Sequence, residues 1–378
     1  MEAQFADDFS NGDLYDAWNH ILSHTTAAHA QLTHEWLSSC WDVFRDNNRL
    51  SLITVTDGGE IVGIAPLIVS KVVGKAGVEL RKLTFVGDGL TDYHDLLVAD
   101  EKREEIVRVL LECIVKEKRR WDAIHLRNVR GDSPNLPIVR EVLQESSFAF
   151  SERVNIQCPY VAIDGDWTDY YGALDRKMRA EMRRQSRRLA EMGKVEFVRL
   201  HDIDDVAHTL AIIKSIHVKC RGAKGGASWY ADEKRFKFAS LIVKRFGDRK
   251  WLDILFLKLN GSVIAYHIYF VYNNIVYWWN TGFDPEFSHL GPGKLLLQYG
   301  LQDSFAKRNK EFDFMVGEEP YKLRWTGLAR PNYEVFAFKN TVRSHLLRCY
   351  HTCKPVLKRN PCLRKVVVGI KSKAGVIR

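Results

Sequence analysis

The chain has no run of apolar residues long enough to cross a bilayer, which takes about 18 or more. Its first residues, Met1-Glu2-Ala3-Gln4-Phe5-Ala6-Asp7-Asp8, are acidic and lack an apolar segment, so they do not resemble a secretory signal. A cytoplasmic location is the expectation, with peripheral contact at the inner membrane face left open. The seven cysteines are odd in number and scattered from Cys40 to Cys362, which does not make a disulfide framework. Cys349 and Cys353 have a spacing that zinc tolerates, but only the lone Cys362 follows, so no metal site is expected. Disorder finds no support either: 46% of residues are hydrophobic and the chain holds 10 Trp, 14 Tyr and 19 Phe.

What is present starts with length. At 378 residues the chain exceeds what one hydrophobic core usually fills, and two domains are expected. A net charge of +9 favours an anionic partner: a phosphorylated cofactor, a nucleic acid, or an anionic membrane or glycan precursor. Two β-rich runs meet at Gly58-Gly59, and a second pair, 252–259 and 263–271, meets at Asn260-Gly261, a strong hairpin signal. Each hairpin is followed by a strand, a helix (103–118, then 294–308) and another strand (123–126, then 312–316). One supersecondary unit is therefore used twice. The polar stretch Asp164-Gly165-Asp166 divides the chain into 1–163 and 164–340, and a basic extension occupies 341–378. That extension suits either an anionic membrane surface or a loosely packed tail.

The second unit carries Ser288-His289-Leu290-Gly291-Pro292-Gly293-Lys294 where its strand turns into its helix. Gly291 and Gly293 let a ligand approach the backbone, Pro292 restricts the turn, and Lys294 begins the helix. Unpaired amides there, with the positive end of the helix dipole, make a pyrophosphate cradle at Leu290, Gly291, Gly293 and Lys294. The first unit has Val98-Ala-Asp-Glu-Lys-Arg103 at the matching place, so its cradle is expected to be lost.

A hairpin, a strand, Gly-x-Gly opening a helix and a following strand resemble the acyl-CoA-binding GNAT fold, although Ser288 stands where Arg or Gln is frequent. Together with Asp92-Tyr-His-Asp-Leu-Leu97, Phe283-Asp-Pro285, Phe312-Asp-Phe314 and Gly317-Glu-Glu-Pro-Tyr-Lys-Leu-Arg-Trp325, the order is similar to tandem GNAT proteins of the CelD-like group tied to cellulose or exopolysaccharide synthesis. The resemblance implies an α/β (α+β) chain of two tandem GNAT-like domains, with mixed sheets flanked by helices. It also implies acyl transfer from acyl-CoA, acetyl or longer, to an amine or hydroxyl on a small-molecule, lipid-linked or sugar-linked acceptor. More distantly it resembles Fem-type transferases, whose donor is aminoacyl-tRNA. A non-catalytic binding module in polysaccharide assembly is the third reading.

Acyl transfer needs a base for the acceptor's proton and an acid for the departing thiolate. Glu318 and Tyr321, just past the strand 312–316, and His267, inside the hairpin, are the catalytic candidates; Tyr321 resembles the tyrosine acid of some GNAT enzymes. Alternation sets His267 on the face of Ala265 and Tyr269, which also fits a core histidine. Asp92 and Tyr93 are candidates for a shared substrate cleft or for plain loop chemistry. Arg179 and Arg183 lie along one side of a basic helix that reads as a phosphate or carboxylate site or as a solvated face. His217 and Arg221 flank a glycine-rich loop at 221–230 that suits a lid, and Asp284, Lys322 and Trp325 complete the substrate candidates. Trp278 and Trp279 point to opposite faces of one strand, so at most one meets the cleft.

Overall fold

The computed structural model describes residues 1–341 other than 7, 47, 74–78, 118, 201–204 and 340. The basic extension, apart from Thr341, and Cys349, Cys353 and Cys362 lie outside the described residues.

The first part of the chain runs β1 (Glu2–Ala6), α1 (Gly12–Ser23), α2 (His34–Phe44), β2 (Arg49–Leu50), β3 (Leu52–Asp57), β4 (Glu60–Ala65), β5 (Leu67–Val73), β6 (Glu79–Phe85), β7 (Leu97–Val98), α3 (Arg103–Lys116), β8 (Ala123–Arg130), α4 (Leu136–Glu145) and β9 (Ala149–Ala162). The second runs α5 (Trp167–Ala173), α6 (Arg176–Glu191), β10 (Val195–Leu200), α7 (Val206–Gly222), α8 (Glu233–Asp248), β11 (Leu252–Leu259), β12 (Ser262–Tyr272), β13 (Ile275–Phe283), α9 (Pro292–Ala306), β14 (Glu311–Asp313) and β15 (Ala329–Phe338). The described strands form a small sheet, β1-β3-β4-β7, and a long mixed sheet, β10-β11-β12-β13-β14-β9-β15-β8-β6-β5-β2, both flanked by helices.

Local chemistry sets these boundaries. Asn260 and Gly261 both take positive φ, 49° and 81°, as a two-residue hairpin turn requires. The apolar run after Gly58-Gly59 divides at Pro66 into β4 and β5, and the two pieces join different sheets. α5 and α6 are separated at Leu174-Asp175, where the Asp175 carboxylate caps α6 by accepting from the Met178 amide at 2.8 Å, as an N-cap aspartate does.

The repeat is visible in the sheet. β6 pairs in parallel with β8 across α3, and β13 with β14 across α9. Even the turn before each helix matches: Lys102 precedes α3 at φ 56° and Gly291 precedes α9 at φ 61°. Lys102 fills that place with a side chain drawn to Asp57, 2.8 Å away.

The halves are not separated by a simple cut. β15, from the end of the second half, lies between β8 and β9, so a line between 163 and 164 does not divide the sheets. Glu334 of β15 is buried and holds Arg127 at 3.0 Å and also Arg153. Trp36 of α2 packs edge-on against Phe238, Phe270 and Trp279 of the second half, so one core spans both. Among the described residues no helix is long and apolar enough to cross a membrane.

Candidate functional site

β13 and β14 stay paired only from Ile275↔Glu311 to Tyr277↔Asp313. β13 then continues to Phe283 while remaining bonded to β12, so its other edge loses its partner. A cavity of about 560 Å³ occupies the opening, within the usual size of a small-molecule site. Trp278, Thr281, Gly282 and Phe283 line it from β13, and the inner face of α6 closes it with Met178, Glu181 and Gln185.

The start of α9 forms another wall. Gly291 sits in the left-handed region, and a Cβ there would lie 2.6 Å from Gln185 Oε1, so glycine is required on two counts. Pro292 has no N–H, and the Lys294 and Leu295 amides both donate to the Gly291 carbonyl, at 3.0 and 3.1 Å. Among the described residues the Gly293 N–H is left as the unbonded donor of that turn, at the positive end of the helix. Lys294 is held by Glu181 at 2.7 Å, and Arg324 reaches the same carboxylate at 3.3 Å.

Two polar atoms buried within the cavity's walls are unmatched, which is unusual for buried groups. Gln185 Oε1 and Trp278 Nε1 have no hydrogen-bond partner among the described residues, on side chains belonging to residues each 7% exposed. The residues present fit a pantetheine thioester: its amides along the open edge of β13 and a phosphate at Gly293.

Of the cradle residues, Gly291, Gly293 and Lys294 line the cavity, whereas Leu290 is buried in the core and does not. Tyr321 lines it, 45% exposed, with its ring edge-on to Trp278 at 5.9 Å. Desolvation and the Glu319 carboxylate raise its pKa above the usual phenol value, which keeps it protonated. Glu318 is exposed and outside the cavity; its neighbour Glu319 lines it instead, because the turn at Gly317, φ 116°, sends successive side chains apart. His267 is fully buried beneath Trp278, 4.8 Å between rings, and its Nδ1 is 2.7 Å from Tyr269 Oη. Burial drives its pKa down to about 3, against a smaller opposing pull from the Gly293 backbone. It is therefore a neutral core histidine behind the wall.

His217, Arg221 and Trp325 line the cavity, together with Cys220 and Lys224. Asp284 does not: it caps the short turn at Pro285–Leu290 and pairs with Lys219 at 2.7 Å. Lys322 is buried, donating to the Val316 carbonyl at 2.8 Å and pairing with Glu319 at 2.9 Å. Tyr93 is fully buried and spends its hydroxyl on Asp313, so it is a structural tie and not a substrate contact. Arg179 and Arg183 also stay out of the cavity: Arg179 bonds the Leu174 carbonyl and Arg183 points to solvent.

Asp92 is half-buried and belongs to a neighbouring polar cluster. Burial pushes its carboxyl up to about 7 against the opposing charge of Lys322, with Asp313 and Glu319 adding to the rise. It is thus linked to the cavity through the Lys322–Glu319 pair. Of the tryptophan pair, Trp278 meets the cavity and Trp279 enters the shared core. Glu181, Gln185, Glu319 and Arg324 were not singled out by sequence. For Glu181 and Gln185 a signal existed: they share the helical stripe of Met178 and Met182. Among the described residues no group of three or more His, Cys, Asp or Glu is placed to hold a metal ion.

No curated protein matches the chain in sequence. Residues 176–323 match the family described as Acetyltransferase (GNAT) domain, which takes in α6, the cradle and Tyr321. Among solved structures, that of FemX superposes with a TM-score of 0.60 at 12% identity, covering 89% of this chain and 97% of that one. A conserved protein of unknown function from Bacteroides thetaiotaomicron superposes at 0.55 and 14% identity, covering 89% and 99%. At such identities the likeness concerns the fold alone. Residues 176–323 thus match the GNAT acetyltransferase domain, within a mixed α/β chain whose fold is shared with FemX.

Proposed function

We propose that this protein transfers an acyl group from a pantetheine thioester, acyl-CoA in the simplest case, to an amine or hydroxyl acceptor in the building of a polysaccharide or other cell-envelope polymer. The observation that carries this reading is the cavity where β13 and β14 part, with the unpaired edge of β13 along it and the free Gly293 amide at its end. The resemblance to tandem GNAT proteins carried by the motifs from Asp92 to Trp325 supports an amine or hydroxyl acceptor.

In this reading the acceptor atom bonds to the acyl carbon as the C–S bond breaks. The acidic cluster of Asp92 and Glu319, of which Glu319 lines the cavity, takes the acceptor's proton, and Tyr321 Oη supplies one to the departing thiolate. His267 packs Trp278 from behind. Calorimetry with acetyl-CoA and longer acyl-CoAs tests the donor: saturable binding that Gly293→Trp abolishes is expected, and absence of heat with every acyl-CoA overturns it.

A second reading has one observation in its favour. The outer face of α6 is strongly basic, which suits a Fem-type donor, aminoacyl-tRNA. Binding of tRNA that falls steeply with salt, without acyl-CoA binding, selects it. A non-catalytic module would bind donor and never turn it over.

A further inference from the structure

α6 has two faces with different work. Met178, Met182, Gln185 and Leu189 are buried, and with Glu181 they set the inner face against the donor cavity. The whole helix, Arg176-Lys-Met-Arg-Ala-Glu-Met-Arg-Arg-Gln-Ser-Arg-Arg-Leu-Ala-Glu191, holds seven cations against two acids, Glu181 and Glu191. Lys177, Arg183, Arg184, Arg187 and Arg188 are all exposed. Among the described residues the one ion pair on this outer face is Arg187–Glu191, at 3.7 Å. Glu181 cannot neutralise that face, because it is turned inward onto Lys294 and Arg324. A row of arginines with so little opposing charge beside a cavity mouth is a surface for an anionic partner.

We infer that this face docks an acidic carrier protein, which delivers the acyl group as a thioester on a phosphopantetheine arm. The inference rests on the thioester reading above and names the form of the donor. Three features favour this partner. A carrier-borne arm has one phosphate, and the turn at α9 offers one unbonded amide among the described residues, Gly293, since Pro292 has none and Lys294 bonds within the turn. The two amides of such an arm run along the unpaired edge of β13 that lines the cavity. The arm is also anchored on a protein body, and α6 presents one face to the cavity and the other to solvent, so the body comes to rest on the arginines.

The same features disfavour the other polyanions. A membrane surface would need apolar anchors among the cations, and the exposed face of α6 between Arg176 and Glu191 has no apolar side chain larger than alanine. A nucleic-acid strand led from α6 into the cavity would lay successive phosphates against Glu181 and Glu319, both of which line it. Nor does that face carry an aromatic ring on which bases would stack.

The test is calorimetric, on the full chain. Its probes are an acyl carrier protein in holo form with the arm attached, the same carrier in apo form, and acetyl-CoA. Each is titrated into wild type and into the triple variant Arg184→Glu, Arg187→Glu, Arg188→Glu, whose sites are solvent-exposed; its fold is checked by its melting temperature. Expected is holo carrier binding that is tighter than apo, weakens with added salt, and falls at least tenfold in the variant, while the affinity for acetyl-CoA stays within twofold. The inference is overturned if acetyl-CoA binds but the carrier does not, or if the variant binds carrier like wild type. It is overturned equally if bulk tRNA or phosphatidylglycerol vesicles bind through these arginines and the carrier does not. Failure of both acetyl-CoA and holo carrier to bind is a different outcome, and it removes the thioester reading itself.

Discussion

The Tyr93 hydroxyl donates to the Asp313 carboxylate, 2.8 Å from both oxygens, across 220 residues of sequence. Asp313 is fully buried at the last paired position of β14, where the sheet opens into the cavity. Burial pushes its pKa up, and Arg330 and Arg130 oppose that rise. Tyr93→Phe removes a hydrogen bond to a buried charged group, and an equilibrium unfolding experiment should register a loss of about 2–3 kcal/mol. A loss under about 0.5 kcal/mol, the size of an ordinary surface change, would mean that this tie contributes little.

Gly291 tests the cradle. Its left-handed backbone and the contact that an added Cβ would make with Gln185 both argue against any side chain. Gly291→Ala should weaken acyl-CoA binding at least tenfold. Adding Gln185→Ala relieves the collision while the unfavourable φ persists, so partial recovery is expected in the double variant. Full recovery would show that the backbone conformation is irrelevant.

Asp92 makes a prediction about pH. Its folded-state pKa, up to about 7, lies above the ordinary carboxylate value, so the folded protein holds this proton more tightly than the unfolded chain. Its contribution to stability therefore declines as pH rises from the ordinary carboxylate range through about 7. Asp92→Asn removes that decline: relative to wild type, the variant's melting temperature should be higher at pH 8 than at pH 5. If Asp92 is the base, wild-type kcat/KM rises with pH through about 7, and the variant loses about 10²–10⁴-fold with that limb flattened. An unchanged profile would remove Asp92 from the chemistry.

Tyr321 and Glu318 separate two candidates that are close in sequence. Tyr321→Phe keeps the ring against Trp278 and deletes the proton, so kcat should fall about 10²-fold or more with little change in donor affinity. Glu318→Gln, outside the cavity, should leave both within about twofold. The reverse pattern would place the acid on Glu318.

Much of the second half is readable along the chain because its signals are local. Asn260-Gly261 fixes a hairpin, Gly291-Pro292-Gly293 fixes a helix start, and the recurrence of hairpin, strand, helix and strand exposes the repeat. The parallel pairs β6–β8 and β13–β14 show that recurrence in space. The catalytic neighbourhood was harder to read. At Glu318 and Glu319 adjacent carboxylates have identical chemistry, and a glycine turn decides which one meets the cavity. His267 was ambiguous because alternation gives a face of the strand and not what covers that face.

The sequence alone determined the local conformations, the basic character of α6 and the position of the one glycine-capped cradle, since each depends on residues within a few positions of one another. Tertiary structure decided the rest. It set Gln185 against Gly291, brought Asp92 under the influence of Lys322 and Glu319, and threaded β15 between β8 and β9. It also turned Trp278 to the cavity and Trp279 to the shared core. The physical reason is that burial, unmatched polar atoms and shifted proton affinities arise only when segments distant in sequence exclude water together.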